Sequence, residues 1–462
     1  MVIRTFWFVV FAASCAAVAW VGSVEAASAR RPNFLFVLAD NLGKDWIGCY
    51  GADGGHTPQI DQLAASGVRF ERCYTTAYCS TTRVELLTGR YGFRTGWTTH
   101  HDAAIYGGGG LDPQREKTFA HLLRSAGYAT CITGKWQVND LYAEPDALAR
   151  HGFDEHLVWT GAMVGQGTAD ERYQASLSAG RALESRYWDP VVFRNGERME
   201  LRGKFGPDVY LEYLEEFMTR HRDESFLAYY ATPLVHVPTV TTPLSPNAAA
   251  PEREQFVGML SYLDQQIGRL VETLDRLGLR ENTVLVFVTD NGSPARLGGS
   301  IAGVPVRGGL GTLVESGIDV PLIVNCPGRI PSGQVSKALV DCSDFLPTLL
   351  ELAQVGLPHD IALDGRSFAR LLTGGETAPR SWIFTEYAHE RVVRDQRYKL
   401  FSSGKLYDLV DDPSEKMDLA SSVVPEMIAV RNRLQAVLDG LPPDAKLPFE
   451  PRSQSAFKLR GN

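Results

Sequence analysis

This chain has too little positive charge to hold a nucleic acid. Its 46 Lys and Arg stand against 54 Asp and Glu, a net charge of −8. An acidic balance repels polyanions at long range, so a nucleic-acid partner is excluded and any anion must be met by a local basic pocket. Cysteine is scarce as well. Cys15, Cys49, Cys73, Cys79, Cys131, Cys326 and Cys342 are widely spread, with none of the close pairings of a zinc site. No internal repeat is present. After residue 26 no apolar run reaches the length of a membrane span.

At the N-terminus, Arg4 precedes an apolar run from Phe6 to Gly22, followed by Val24-Glu25-Ala26. A positive start, an apolar centre and small residues at a cut site are the parts of an export signal. Residues 1–26 are therefore expected to be cleaved and the mature protein to be exported, periplasmic or secreted. An uncleaved membrane anchor is the second reading, since the run is just short of a comfortable span. Six cysteines remain after cleavage, and an exported protein could pair some of them.

The stretch Tyr78-Cys79-Ser80-Thr81-Thr82-Arg83-Val84-Glu85-Leu86-Leu87-Thr88-Gly89-Arg90 reads as a tight loop running into a helix. Thr82 and Glu85 have capping-box spacing, which predicts Cys79 just ahead of the helix N-terminus. Free N–H groups, the helix dipole and Arg83 would favour an anion there, and thiolate over thiol.

Elsewhere, short apolar runs end in polar residues. Asn33–Leu38 runs into Ala39-Asp40-Asn41, Tyr128–Thr133 into Gly134-Lys135-Trp136-Gln137, Phe226–Ala231 into Pro233-Leu234-Val235-His236, and Thr283–Thr289 into Asp290-Asn291-Gly292. Gly67–Phe70 opens another strand, Pro321–Asn325 is a short apolar one, and Asn195-Gly196 marks a peripheral hairpin. Helices are predicted from Pro58 to Ala64, from Asp208 to Met218, and from Pro251 to Leu277, where apolar residues recur every three to four positions. Strands alternating with helices, each strand ending in polar groups, predict an α/β sheet with its site at the strand C-termini. After about residue 371 the segments shorten and alternate, predicting a small antiparallel sheet, a helix from Pro425 to Leu438 and a poorly ordered tail. The division expected is thus a main domain over 30–370 and a small subdomain over 371–462. Gly107–Gly110 reads as a flexible loop near the site; with His100 and His101 it could shape substrate binding, or all three could simply be solvated.

Asp40 with Asn41 and Asp290 with Asn291 offer hard oxygen ligands at the ends of buried strands. Such a set suits one divalent ion, Ca²⁺ first and Mg²⁺ second. Lys135 and His236 lie just past other strand ends, and Cys79 just ahead of its helix.

These segments resemble the sulfatase family of the alkaline-phosphatase superfamily. The matching text is Leu38-Ala39-Asp40-Asn41-Leu42-Gly43, Gly48-Cys49-Tyr50-Gly51, Thr57-Pro58-Gln59-Ile60-Asp61, Cys79–Arg90, Gly134-Lys135-Trp136, Arg307-Gly308-Gly309, Val320–Val324 and the closing Leu406-Tyr407-Asp408-Leu409. The resemblance implies an α/β/α sandwich with a central, mostly parallel sheet and a small C-terminal antiparallel subdomain. It implies a sulfuric ester hydrolase acting on a sulfated carbohydrate or aryl sulfate. Cys79 would be oxidised to formylglycine by a formylglycine-generating enzyme. The aldehyde hydrate can attack sulfur and later expel sulfate by collapsing back to the aldehyde. Asp40, Asn41, Cys79 and the Asp290–Asn291 pair would hold the metal ion. Arg83 would steady the nucleophile, Lys135 the sulfate, and His236 would protonate the departing alcohol.

Four positions depart from the family pattern. Thr81 stands where proline belongs to the signal read by the modifying enzyme. Asn41 replaces an aspartate, Gln137 a histidine that helps expel sulfate, and Leu310 a lysine of the sulfate pocket. Two further readings follow from these departures: a related hydrolase of phosphate or phosphonate esters, and a binding protein that has lost catalysis.

Overall fold

The computed structural model describes residues 30–168, 171–172, 174–175, 184–375 and 380–450. The expected export signal and the end of the tail lie outside the described residues. From Arg31 onward the chain is one unit.

The strands, in chain order, are β1 (Asn33–Ala39), β2 (Val68–Tyr74), β3 (Ala129–Gly134), β4 (Glu155–Trp159), β5 (Val191–Arg194), β6 (Glu197–Glu200), β7 (Phe226–Ala231) and β8 (Thr283–Thr289). They continue with β9 (Ser300–Ile301), β10 (Val304–Pro305), β11 (Leu322–Asn325) and β12 (Gln334–Asp341). All but the β9–β10 ribbon join one ten-stranded sheet in the order β12-β2-β11-β8-β1-β7-β3-β4-β5-β6. Its centre, β8-β1-β7-β3-β4, is parallel. β11 runs antiparallel between β2 and β8, and the β5–β6 hairpin extends the opposite edge antiparallel.

The apolar run of β1 is explained by cover on both faces. Phe34, Phe36 and Leu38 pack into one core with Phe119, Leu123, Phe345 and Leu349. Leu35, Val37 and Ala39 pack into the other with Ile60, Leu214, Leu263 and Ile267. Alternate residues of a strand point to opposite faces, so a strand buried on both sides reads as continuously apolar. The Glu252–Arg276 helix contributes the buried stripe Met259, Leu260, Leu263, Ile267, Leu270 and Leu274. Proline occupies the first turn of the helices Pro58–Ala65, Gly206–Arg220 and Pro425–Asp439, where its missing N–H costs nothing. The α/β/α sandwich expected from the sequence is the fold observed.

A second sheet follows, antiparallel in the order β13 (Ile383–Tyr387), β14 (Glu390–Arg394), β15 (Tyr398–Phe401) and β16 (Leu406–Asp408). Val430, Leu434 and Leu438 of the last helix pack on Val393, Leu400 and Leu406. This sheet is joined to the rest through a buried charge seam. Lys399 Nζ, fully buried, lies 3.1 Å from Glu315 and 2.8 Å from Glu415. Tyr74, at the end of β2, donates to Glu315 at 2.7 Å. Among the described residues no helix is long and apolar enough to cross a membrane. The six described cysteines are all free.

Candidate active site

Four parallel strands lie side by side as β1, β7, β3 and β4, with β8 on the other flank of β1, so their C-terminal ends share one edge. Open α/β sheets bind ligands at that edge. Asp40 and Asn41 follow β1, Lys135 follows β3, Asp290 and Asn291 follow β8, and His236 lies five residues beyond β7.

Cys79 arrives from outside the sheet. It is the first residue of the Cys79–Thr88 helix, with Tyr78 as N-cap in extended conformation. The capping box expected of Thr82 and Glu85 is not formed, because the helix starts three residues before Thr82. The Thr82 hydroxyl instead accepts from the Thr76 N–H at 3.1 Å, and Glu85 turns inward to Cys342 Sγ at 3.0 Å.

The expected groups converge. Cys79 Sγ lies 3.5 Å from Asp40 Oδ1 and 3.8 Å from Asn41 Oδ1. His236 Nε2 is 4.0 Å from Asp40 Oδ1, and ligand atoms of Asp40, Cys79 and His236 all fall within 4.8 Å of one another. Arg83 donates to Asp40 Oδ2 at 3.1 Å, to Asp290 Oδ2 at 2.8 Å and to the Lys135 carbonyl at 2.8 Å. Lys135 Nζ donates to Asp40 Oδ2 at 2.7 Å. Asn41 sits at φ +60°, a left-handed conformation that asparagine tolerates. There its N–H meets Asp290 Oδ1 at 3.2 Å and its Oδ1 accepts from Asn291 Nδ2 at 2.6 Å.

Two observations test whether this cluster suits a cation. Asn291 Oδ1 is buried without a hydrogen-bond partner, a costly state for an amide oxygen unless something electropositive meets it. Burial and the nearby Asp40 charge raise the Asp290 carboxyl above its usual range, against Arg83 and Lys135. Two carboxylates and two amides at one point are hard oxygen donors, and they fit a Ca²⁺- or Mg²⁺-class ion.

The electrostatics correct one expectation. Cys79 is not poised as a thiolate. Burial, then Asp290 and Asp40, push its thiol well above the usual value, and Lys135 and Arg83 do not offset them. The helix N-terminus supplies only a fraction of a charge, so two adjacent carboxylates outweigh it. For Asp40, burial would raise the carboxyl, but Lys135, Arg83 and Arg186 together hold it below the usual carboxylate range. His236 is driven well below the usual imidazole range by burial and then by Arg186. Its Nδ1 faces the Val237 carbonyl.

Of the four departing positions, Asn41 lies in this cluster, and Thr81 and Gln137 are two residues from Cys79 and Lys135. Gln137, at φ +75°, donates Nε2 to Asp102 Oδ2 at 2.8 Å and leaves Oε1 buried without a partner. The Thr81 hydroxyl donates to the Tyr78 carbonyl at 2.9 Å. Leu310 is half-buried, its N–H on the Ser293 carbonyl at 3.0 Å. The loop at Gly107–Gly110 is held in place: His101 reaches the Gly109 carbonyl at 3.2 Å, and Leu111 N–H the Val138 carbonyl at 2.8 Å.

His100 has its Nδ1 3.1 Å from Ser80 Oγ, beside Cys79, and burial lowers it to about 4. It is a packed neighbour of the nucleophile position rather than part of a solvated loop. One residue near the site has no counterpart among the sequence candidates. Arg186 is buried with its guanidinium over the Trp159 ring, 4.6 Å from the centroid. It follows no apolar strand, which was the signal that exposed most of the others.

The sulfatase family model matches residues 32–355, and the model for the C-terminal part of N-sulphoglucosamine sulphohydrolase matches 312–442. The chain is 31% identical to N-acetylgalactosamine-6-sulfatase of Canis lupus familiaris, over 78% of this chain and 69% of that protein. It is 30% identical to arylsulfatase A of Homo sapiens, over 92% of this chain and 90% of that protein. Among solved structures, Ps i-CgsB in complex with k-i-k-neocarrahexaose superposes with a TM-score of 0.78 at 23% identity, covering 93% of this chain and 97% of that one. A second, in complex with its substrate D-glucosamine-2-N,6-O-disulfate, gives 0.68 at 20% identity, covering 89% and 97%.

Proposed function

This chain belongs to the sulfatase family and is a sulfuric ester hydrolase, and from that premise we propose that it removes sulfate from a carbohydrate at the Asp40–Cys79–His236 centre. The observation that carries the reading is the meeting of Cys79 Sγ with Asp40 Oδ1 at 3.5 Å, beside Asp290 and Asn291. A carbohydrate is favoured because two of the similar proteins are described by a sulfated sugar they act on or bind. The protein is exported after loss of residues 1–26.

Cys79 is the position that a formylglycine-generating enzyme would oxidise, supplying a hydrated aldehyde as nucleophile. Asp40, Asn41, Asp290 and Asn291 would hold one divalent ion, Ca²⁺ in preference to Mg²⁺, which supplies charge to polarise a sulfate oxygen. The chain's own groups do the rest. Arg83, tied to both carboxylates, fixes the helix N-terminus and with it the side chain at 79. Lys135 brings a buried ammonium to the rim of Asp40, where it can meet a sulfate oxygen. His236 rests neutral, with Nδ1 on the Val237 carbonyl. An anionic ester beside it favours the protonated ring, and Nε2–H then serves the departing alcohol.

The test is mass spectrometry of the Cys79 peptide after co-expression with a formylglycine-generating enzyme, with turnover of aryl sulfates and aryl phosphates in parallel. We expect conversion of the thiol and faster sulfate turnover. An intact thiol, or faster phosphate turnover, would reject the reading.

A further inference from the structure

After its last helix the chain leaves the small sheet and returns to the large one. Leu441 still packs on the small sheet's core, whereas Leu447 and Phe449 pack on the core of the main sheet. Resting on the sulfatase reading, we propose that Phe449 is a positioning residue for Cys79: it holds the loop over 100–110 against the first turn of the Cys79–Thr88 helix.

The returning strap, residues 442–449, is fastened along its length. Arg391 of β14 pairs with Asp444 and donates to the Pro442 carbonyl at 2.8 Å. The Ala445 N–H donates to the Phe93 carbonyl at 2.7 Å. Two glycines leave room for it. At Gly96, with φ +83°, a Cβ would come within 2.6 Å of the Lys446 carbonyl oxygen. At Gly109 a Cβ would come within 2.2 Å of the Phe449 ring. The centroid of that ring lies 5.5 Å from that of Trp97 and 5.0 Å from that of His101.

His101 carries the contact inward. Its Nε2 meets the Gly109 carbonyl at 3.2 Å, which keeps the loop folded under Phe449. Its N–H donates to Ser80 Oγ at 3.0 Å, and His100 Nδ1 lies 3.1 Å from the same oxygen. Ser80 directly follows Cys79. Tyr78, the N-cap, makes no side-chain cap bond, so the first turn takes its place from tertiary contacts. Arg83 ties that turn to Asp40 and Asp290, and the loop ties it through Ser80. The same loop reaches the β3 side of the centre. Gln137 Nε2 donates to Asp102 Oδ2 at 2.8 Å, and the Ala103 N–H donates to the Gln137 carbonyl at 3.0 Å. Loosening the Phe449 contact therefore frees two sides of the centre at once. A displacement of about 1 Å in a reacting group can cost about a hundredfold in rate.

The experiment uses the full chain, co-expressed with a formylglycine-generating enzyme. The proteins compared are the wild type, Phe449→Ala, Phe449→Tyr, Gly109→Ala and Phe449→Ala with Gly109→Ala. Hydrogen exchange over residues 97–106 is followed by mass spectrometry. Steady-state kcat and KM for an aryl sulfate are taken well below each melting temperature. We expect Phe449→Ala to speed that exchange and to lower kcat about tenfold, with KM changed by less than about twofold. Phe449→Tyr keeps the ring and should behave as the wild type in both. Gly109→Ala drives the ring away and should match Phe449→Ala, and the double variant should be no worse than either single one. A merely structural phenylalanine would lower the melting temperature and leave kcat of the folded protein unchanged. Unchanged exchange in Phe449→Ala, unchanged kcat, or additive losses in the double variant overturn the proposal. Exchange needs no turnover. A wild type that hydrolyses no sulfate ester, with faster exchange still seen in Phe449→Ala, overturns the sulfatase reading instead, so the two failures are separable.

Discussion

Lys135 Nζ donates to Asp40 Oδ2 at 2.7 Å, and that same oxygen also accepts from Arg83. One carboxylate at the end of β1 therefore meets two buried cations, brought by β3 and by the Cys79–Thr88 helix, and shares the second with Asp290. Asp40→Asn would leave Lys135 facing a neutral amide and Arg83 with Asp290 alone. Removing one member of a buried ion pair costs about 3–5 kcal/mol. The urea midpoint should fall accordingly, with sulfate-ester turnover lost even under conditions where the variant stays folded.

Thr81 lies in the first turn of its helix, where the N–H takes no part in the i→i−4 ladder. Proline fits such a position, at the loss of two hydroxyl bonds, to the Tyr78 carbonyl and the Thr76 hydroxyl, about 1 kcal/mol each. Thr81→Pro should raise the fraction of formylglycine at Cys79 under co-expression, read by peptide mass, with little change in melting temperature. An unchanged fraction would show that the modifying enzyme does not depend on this position here.

Gln137 already holds the left-handed conformation and already donates to Asp102. An imidazole at that position could give one N–H to Asp102 and present its other nitrogen where Gln137 Oε1 is now buried. Gln137→His should increase the rate of sulfate release in single-turnover experiments. A decrease would mark a site rebuilt around the amide.

Asn41→Asp adds a third carboxylate beside Asp40 and Asp290. Without metal it raises like-charge repulsion and lowers the melting temperature; with metal it strengthens the site. The rise in melting temperature on adding Ca²⁺ should therefore be larger than in the wild type. Saturation at a hundred times Kd is worth about 2.7 kcal/mol. Asn291→Ala, which removes the buried unpartnered oxygen, should shrink that rise.

Glu386 is pushed up to about 8 by burial and then by Asp444, against Arg391. The folded state thus holds a proton that the unfolded chain releases near the ordinary glutamate value. Stability is highest below that ordinary value and falls as pH rises towards 8, by about 1.4 kcal/mol per pH unit at most. Denaturant midpoints taken from pH 5 to pH 8 should decline in the wild type and decline less in Glu386→Gln, where Asp344 and Asp264, raised to about 7 and about 6, still contribute.

What the sequence could reveal was set by local contrast. Asp40, Lys135, Asp290 and His236 stand out because apolar strands run up to them, and strand ends of a parallel sheet share one edge. β4 carries no strand signal because Glu155 and His156 interrupt its apolar pattern. β12 carries none because its first half is exposed. Thr82 and Glu85 carry a capping signature that tertiary contacts with Thr76 and Cys342 override. The state of the Cys79 thiol is not legible locally because the carboxylates that raise it lie 39 and 211 positions away in the chain. Arg186 had no local mark: its place depends on Trp159 and Tyr187.

The closing four-stranded sheet has a practical consequence for anyone trimming the gene. Cutting it away would delete Lys399, the buried partner of Glu315, and lay bare the apolar side chains of Ile318 and Leu339 that Ile383 and Val392 cover. A shortened product ending near residue 371 should be recovered as insoluble aggregate rather than as a miniature enzyme.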